Sequence, residues 1–370
     1  MKILAAARHP GPGESVGPTV NELRQQGHQV VLIGVNSANP ETKHLGGSSI
    51  IFENLNIDYT DLCLDIGYKG NIVDIPEIYA QKLISRYKPD AILVGTSHDK
   101  TGLEKDIEAV LVSAGTKLSL RTIQIVEAWG CWYPKKGLQF ANFYAHIDKL
   151  SAQISLSRGM REENIVITGH PGLDQYRYES DKKLNKSIRT KLGITKNNRL
   201  VTYHSQAEIF PGAPSTEQTL SWVISNLQQD DLFIFTRHPR DTKDYSLLLK
   251  QAGEKLLQPK LNNQQILEIS DLSITHYSTM GLKSALLNIP TINIILDNDR
   301  INFGDSNGDF PVTILGGNYE ANTKQDVERL MSQNLRGLSN KLKTALNIDG
   351  KSAKRVAQLV TMNGKIQTHP

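Results

Sequence analysis

The stretch LSITHYSTMGLKSALLNIPTINIIL, residues Leu272 to Leu296, reads as one complete strand, helix and strand. Its outer runs, Leu272–Thr275 and Thr291–Leu296, are short and rich in Leu, Ile and Thr, as suits strands buried on both faces of a parallel sheet. Between them, Met280–Leu287 sets Leu282, Ala285 and Leu286 at helical spacing. The same alternation recurs in both directions along the chain. Upstream, strands are expected at Ile3–Ala7, Val30–Val35, Ala91–Gly95, Thr122–Val126, Ile154–Leu156, Leu200–Tyr203 and Leu232–Thr236. Helices are expected near Pro18, over Asp74–Tyr87 and Leu103–Ala114, and then over Asp181–Leu192, Ser215–Leu227, Val327–Asn334 and Ser352–Val360. Short buried strands alternating with longer amphipathic helices define an α/β chain built on parallel sheets.

At 370 residues the chain suits two such domains, since domains commonly hold roughly 100–200 residues. The junction is expected at Thr168-Gly-His-Pro-Gly-Leu-Asp174, where two glycines and a proline forbid a regular element. This divides the chain into a first Rossmann-like domain over 1–168, a second, nucleotide-binding one over 169–350, and a C-terminal helix and tail over 351–370 that is expected to pack back on the first.

Composition narrows the function classes. Charged residues are 22% of the chain and the net charge is +4, with basic residues scattered among polar ones, so no nucleic-acid footprint is read. Cys63 and Cys131 alone suggest neither a disulfide framework nor a zinc site. No stretch approaches the ~20 apolar residues of a membrane span, and no signal peptide is read at the N-terminus. A cytoplasmic location is expected; peripheral attachment at the inner membrane face and a homodimer are both compatible with the sequence.

Open parallel sheets bind ligands beyond the carboxyl ends of their strands. Of the ten histidines, His9, His98, His204, His238 and His276 fall at or just past such ends. Imidazoles so placed suit a phosphorylated substrate, to which they donate or whose protons they move. They lack local metal-ligand spacing, so no metal is expected. The loop Arg8-His-Pro-Gly-Pro-Gly-Glu-Ser-Val-Gly17 has glycines, Gly13 among them, that permit close approach of a sugar or anion. It matches neither the dinucleotide fingerprint nor a P-loop. Ser278-Thr279-Met280-Gly281 opens a helix directly after the strand ending near His276, and two hydroxyls with the helix N–H groups make a phosphate seat.

With these pieces placed, the chain resembles the GT-B superfamily of UDP-N-acetylglucosamine 2-epimerases and glycosyltransferases. Ile167-Thr-Gly-His-Pro-Gly-Leu-Asp174 resembles the epimerases' V-T-G-N-P-x-x-D, Val201-Thr-Tyr-His204 their V-T-x-H, and Val126-Glu-Ala128 their H-V-E-A. The resemblance implies two Rossmann-like domains facing a cleft, with Glu127 and His204 near the sugar and its diphosphate. The sequence departs after His204, after Ala128, and at Lys283-Ser284, where the epimerases carry an acidic pair for the ribose. Phe235-Thr-Arg-His-Pro239 and Tyr277-Ser-Thr279 resemble instead the basic H-P and S-S/T motifs of CDP-glycerol glycerophosphotransferases and bacterial polysialyltransferases.

The expected function is therefore a glycosyltransferase-like enzyme with a UDP- or CMP/CDP-linked donor, a carbohydrate acceptor, a role in surface-polysaccharide or other glycan synthesis, and no further cofactor. Arg237, His238, His276, Ser278, Thr279 and Gly281 are expected at the nucleotide phosphates. Glu127 or Asp99 is the expected base, with His204 assisting, and Arg8, His9, Gly13, His98 and Trp129 are assigned to the sugar or acceptor side. The alternatives are a sugar-nucleotide epimerase or hydrolase, and a non-catalytic sugar-nucleotide-binding protein.

Overall fold

The computed structural model describes residues 1–35, 47–68, 70–97, 99, 101–178, 182–206, 215–238, 241–297, 299 and 309–362. Its contacts divide the chain into two compact units. Unit 1 comprises Met1–Gln175 with the chain from Leu346 onward, and unit 2 comprises Tyr176–Ala345. Unit 1 is built on a seven-stranded sheet in the order β3-β2-β1-β4-β5-β6-β7. Its strands are β1 (Lys2–Ala6), β2 (Gln29–Gly34), β3 (Thr60–Asp61), β4 (Ala91–Val94), β5 (Arg121–Val126), β6 (Phe143–His146) and β7 (Ile165–Ile167). Unit 2 has six strands in the order β10-β9-β8-β11-β12-β13. These are β8 (Arg199–His204), β9 (Asp231–Thr236), β10 (Leu256–Leu257), β11 (Leu272–Thr275), β12 (Thr291–Ile294) and β13 (Tyr319–Ala321). All pairings are parallel.

The apolar runs become strands because both sheet faces are covered. In β1, Leu4 and Ala6 join the core of Ile33, Ile92 and Val110, while Ile3 and Ala5 join that of Leu32, Leu93, Ile123 and Val356. Successive side chains of a strand leave on opposite faces, so each face requires its own apolar set. In unit 2, Val201, Tyr203, Ile274 and Ile292 pack with Leu220, Val223 and Val327, and Leu200 and Ile234 with Ile188, Ile266 and Ile269.

The expected strand at Ile154–Leu156 is part of the helix Lys149–Ser157 instead. Asp148 decides this locally, because its side chain accepts the Ser151 N–H at 2.7 Å and starts the helix. The neighbouring strands β6 and β7 were not among those expected. The first helix runs over Pro10–Gln25, beginning at the glycine-rich loop rather than near Pro18. The helix expected over Leu103–Ala114 runs over Ile107–Lys117, so Gly115 lies inside it. A side chain there would strike Ile92, so the glycine serves helix–sheet packing.

The Thr168–Asp174 segment holds the last helix, Ser352–Thr361, within unit 1. Asp174 accepts the Ser352 N–H at 2.7 Å and the Gly350 N–H at 3.2 Å, supplying a cap from a distant part of the chain. Arg355 donates to the Thr168 carbonyl at 2.6 Å. Gly169 has φ +79°, and a side chain there would strike Ser352 Oγ. The buried residues Val356, Ala357 and Val360 of the same helix then complete one face of the sheet.

An Asp174→Ala variant should be destabilised by about 0.5–2 kcal/mol, the usual cost of a lost cap, in a thermal or urea melt. Asp174→Asn should recover part of that loss, because an amide oxygen still accepts.

Candidate functional site

In unit 2 the order β10-β9-β8-β11-β12-β13 reverses direction between β8 and β11. Ligands of open α/β sheets bind in the crevice beyond such a reversal. His204 ends β8 and Ser278 follows β11 by three residues, so both lie at this edge. Ser278 caps the helix Thr279–Leu286, accepting the Met280 N–H at 3.2 Å, and Thr279 is exposed at its first position.

The His204 ring is 1% exposed. Its Nδ1 lies 2.6 Å from Thr236 Oγ1, and its Nε2 has no hydrogen-bond partner among the described residues. Burial pushes its pKa down to about 3, so the ring is neutral across the physiological range. A neutral imidazole fixed through one nitrogen offers the other as a single directed donor or acceptor. The neighbouring Ser205 Oγ accepts the His238 main-chain N–H at 2.8 Å, tying the loop after β8 to the loop after β9.

Three residues expected at the phosphates have structural contacts. His276 is fully buried, with Nδ1 bonded to the Ile294 carbonyl at 3.0 Å and Nε2 2.9 Å from Thr219 Oγ1, so it braces the sheet edge. Arg237 donates to the carbonyls of Asp241 (3.2 Å) and Lys243 and lies over the rings of Phe235 and Tyr245, which holds the loop after β9. Gly281 lets the helix approach the sheet: a side chain there would meet Thr275 at 2.7 Å.

In unit 1 the strand order reverses between β1 and β4, and titratable groups gather at the carboxyl ends of those strands. Glu127, just past β5, accepts the Thr96 N–H at 3.1 Å. Burial, and then the nearby Glu108, raise its carboxyl well above the usual range. Glu108 was not among the expected site residues. It is 1% exposed on the helix Ile107–Lys117, accepting the Arg8 N–H at 3.1 Å and the Ser97 hydroxyl. Burial and the neighbouring Asp106 push its pKa up to about 7, against the opposing pull of Arg8. Arg8 is 2% exposed and pairs through Nη2 with Glu104 at 2.8 Å, while its Nε and Nη1 have no hydrogen-bond partner among the described residues.

Asp99, expected as an alternative base, is a loop anchor. Although burial opposes the charge, the Lys135 ammonium at 2.8 Å and donors from Thr101 and Glu104 hold its carboxyl well below the usual range. A carboxylate so stabilised is a poor proton acceptor. The Trp129 indole N–H donates to Asp148 Oδ2 at 2.9 Å, bracing the Lys149–Ser157 helix cap. Gly13 packs closely on Ser48 and Ile51, and His9 sits half-buried at the N-cap of the first helix. His98 lies outside the described residues. Among the described residues no cluster of three or more metal-type ligands occurs, and no helix is long and apolar enough to cross a membrane.

A model of the CDP-glycerol:poly(glycerophosphate) glycerophosphotransferase family matches residues 148–303. No curated protein matches the sequence. Solved structures match over nearly the whole chain. The S. aureus MnaA structure with UDP is 15% identical with TM-score 0.66, covering 98% of this chain and 99% of that one. UDP-GlcNAc 2-epimerase from Methanocaldococcus jannaschii gives the same identity, TM-score and coverage. MurG of Acinetobacter baumannii is 12% identical with TM-score 0.56, covering 97% and 99%. The two parallel sheets and these likenesses show a GT-B-type fold. The chain shares this fold with UDP-GlcNAc 2-epimerases and with MurG.

The buried Glu108 gives a pH signature. Its pKa is raised from 4.5 to about 7 on folding, so the native state binds the proton more tightly than the unfolded chain. Native stability should therefore fall as pH rises from about 4.5 through 7, relative to a Glu108→Gln variant that cannot titrate. Paired urea titrations across that range check the sign.

Proposed function

We propose that this protein is a glycosyltransferase-like enzyme that moves a glycosyl or related group from a UDP- or CMP/CDP-linked donor to a carbohydrate acceptor. The observation that carries the reading is the neutral, buried His204, whose Nε2 is without a partner among the described residues one strand away from the Ser278-capped helix. A helix start and a directed imidazole suit the oxygens of a nucleotide diphosphate, and they would stabilise the charge that grows on a departing nucleotide. Ser278 and Thr279 would seat the phosphates, with His204 and the His238 loop beside them. Glu127 would serve the acceptor: the burial that raises its pKa makes its carboxylate, once formed, a stronger base. The glycerophosphotransferase match spans the stretch that holds His204 and Ser278, which supports transfer.

Epimerisation is the second reading, favoured by Glu127 and His204 standing in epimerase-like motifs. Against it, the epimerases' acidic pair is Lys283-Ser284 here, and the Ser284 hydroxyl is turned inward to Ser273 Oγ and the Met280 carbonyl, each at 2.8 Å. Incubation with UDP-N-acetylglucosamine in the absence of acceptor, followed by NMR, should show no inversion at C2. Inverted product would favour the epimerase.

Donor binding is tested by thermal shift against a nucleotide panel. UDP or CMP/CDP should raise the melting temperature, since a ligand at 100 times its Kd adds about 2.7 kcal/mol to the native state. That increment should vanish in a His204→Ala, Ser278→Ala double variant, each protein being compared with itself without ligand. Absence of stabilisation by any nucleotide at millimolar concentration would refute the donor site.

A further inference from the structure

Glu108 occupies an unusual place. Its helix buries Ile107, Ala109, Val110, Leu111 and Val112 around it. The helix start is already capped by Asp106, which accepts the Ala109 N–H at 2.8 Å, so Glu108 is not needed there. Its carboxyl instead bridges the chain after β1, through the Arg8 N–H, to the chain after β4, through the Ser97 hydroxyl. The segment carrying Ser97 is held from its other side by Thr96, whose N–H donates to Glu127 and whose hydroxyl donates to the Ile125 carbonyl.

Thr96 and Ser97 line a small cavity together with Tyr133, Lys135 and Gln139. The Thr96 hydroxyl is engaged with Ile125, and the Lys135 ammonium with Asp99. Ser97 Oγ bonds only to Glu108 among the described residues, and the cavity beside it, about 20 Å³, has room for one hydroxyl-sized group.

We propose that Ser97 contacts the bound acceptor and that Glu108 is its positioning residue, its carboxylate holding the Ser97 proton so that Ser97 Oγ accepts a hydrogen bond from an acceptor hydroxyl. This rests on the transferase reading for the acceptor, but the coupling of Ser97 to Glu108 does not. Protonation of Glu108 reverses the bond: the carboxylic acid donates to Ser97 Oγ, and the Ser97 proton turns toward the ligand. Among the described residues, charged and titratable groups facing Glu108 come from three elements: Asp106 at its helix start, Arg8 after β1 and Glu127 after β5. Burial and Asp106 raise the midpoint to about 7 against Arg8, which puts the reversal in the neutral range.

The test uses the full-length protein with carboxyl-13C glutamate, the Glu108 resonance being identified by its loss in Glu108→Gln, or in Glu108→Asp if the amide variant fails to fold. The wild-type resonance should titrate near pH 7. In Ser97→Ala the midpoint should move upward, because the ionised form loses a donor. An unmoved midpoint overturns the proposal. In a transfer assay, wild-type turnover should rise through the Glu108 midpoint, whereas Glu108→Gln should lose that limb while keeping its stabilisation by nucleotide. A limb that persists in Glu108→Gln at the pH where the wild-type Glu108 resonance titrates, as distinct from the limb of the Glu127 base, overturns the proposal, as does an equal loss of turnover at every pH. If no nucleotide stabilises the wild type, the donor reading falls and the Ser97→Ala titration alone decides the coupling.

Discussion

The reversal of strand order between β8 and β11 is the constraint on which the rest of unit 2 depends. Neighbouring parallel strands whose connections diverge leave a crevice at their carboxyl ends, and side chains there cannot be satisfied by a continuing helix or sheet. Tyr203 pairs with Ile274 in register, so His204 falls opposite Thr275, whose hydroxyl donates to the His204 carbonyl at 3.0 Å. The histidine is thus fixed in main chain and side chain, yet retains one buried nitrogen without a partner among the described residues. Such an atom costs stability unless something binds it. The same edge carries bracing residues, His276 and Arg237, whose polar groups are spent on their own unit.

Unit 1 repeats the reversal between β1 and β4 but fills its edge with different chemistry. Glu108 and Glu127 have proton affinities raised by burial, whereas Asp99, also buried, is held ionised by Lys135. Three carboxyls at one sheet edge therefore take different roles, set by their partners rather than by their residue type. Low-dielectric surroundings favour the neutral acid unless cations and donors outweigh them: at Asp99, Lys135 with Thr101 and Glu104 does so, whereas at Glu108 burial and Asp106 outweigh Arg8 and Ser97.

Much of this arrangement was legible in the residues. The Leu272–Leu296 stretch became β11, a helix and β12 because its apolar runs are buried on both faces. Strand β6 escaped because its four residues, Phe143 to His146, mix aromatic and polar side chains and carry no clear apolar run. The position of His204 past a strand was readable, but the internal contacts of His276 were not. A histidine at a strand end looks the same in sequence whether its nitrogens face a ligand or a carbonyl. Glu108 was hidden for a similar reason: an acidic residue inside the helix expected over Leu103–Ala114 reads as part of its solvated face. Its burial depends on Arg8, 100 residues earlier, and its one local clue is its place in the apolar run from Ile107 to Val112.

The central claim is that a nucleotide phosphate binds at the β8–β11 edge of unit 2. A crystal structure of the protein grown with UDP tests it most directly. Density for the diphosphate is expected within hydrogen-bond reach of His204 Nε2 and the Ser278–Thr279 helix start. UDP bound elsewhere on unit 2, with His204 Nε2 turned to a protein group, would contradict it.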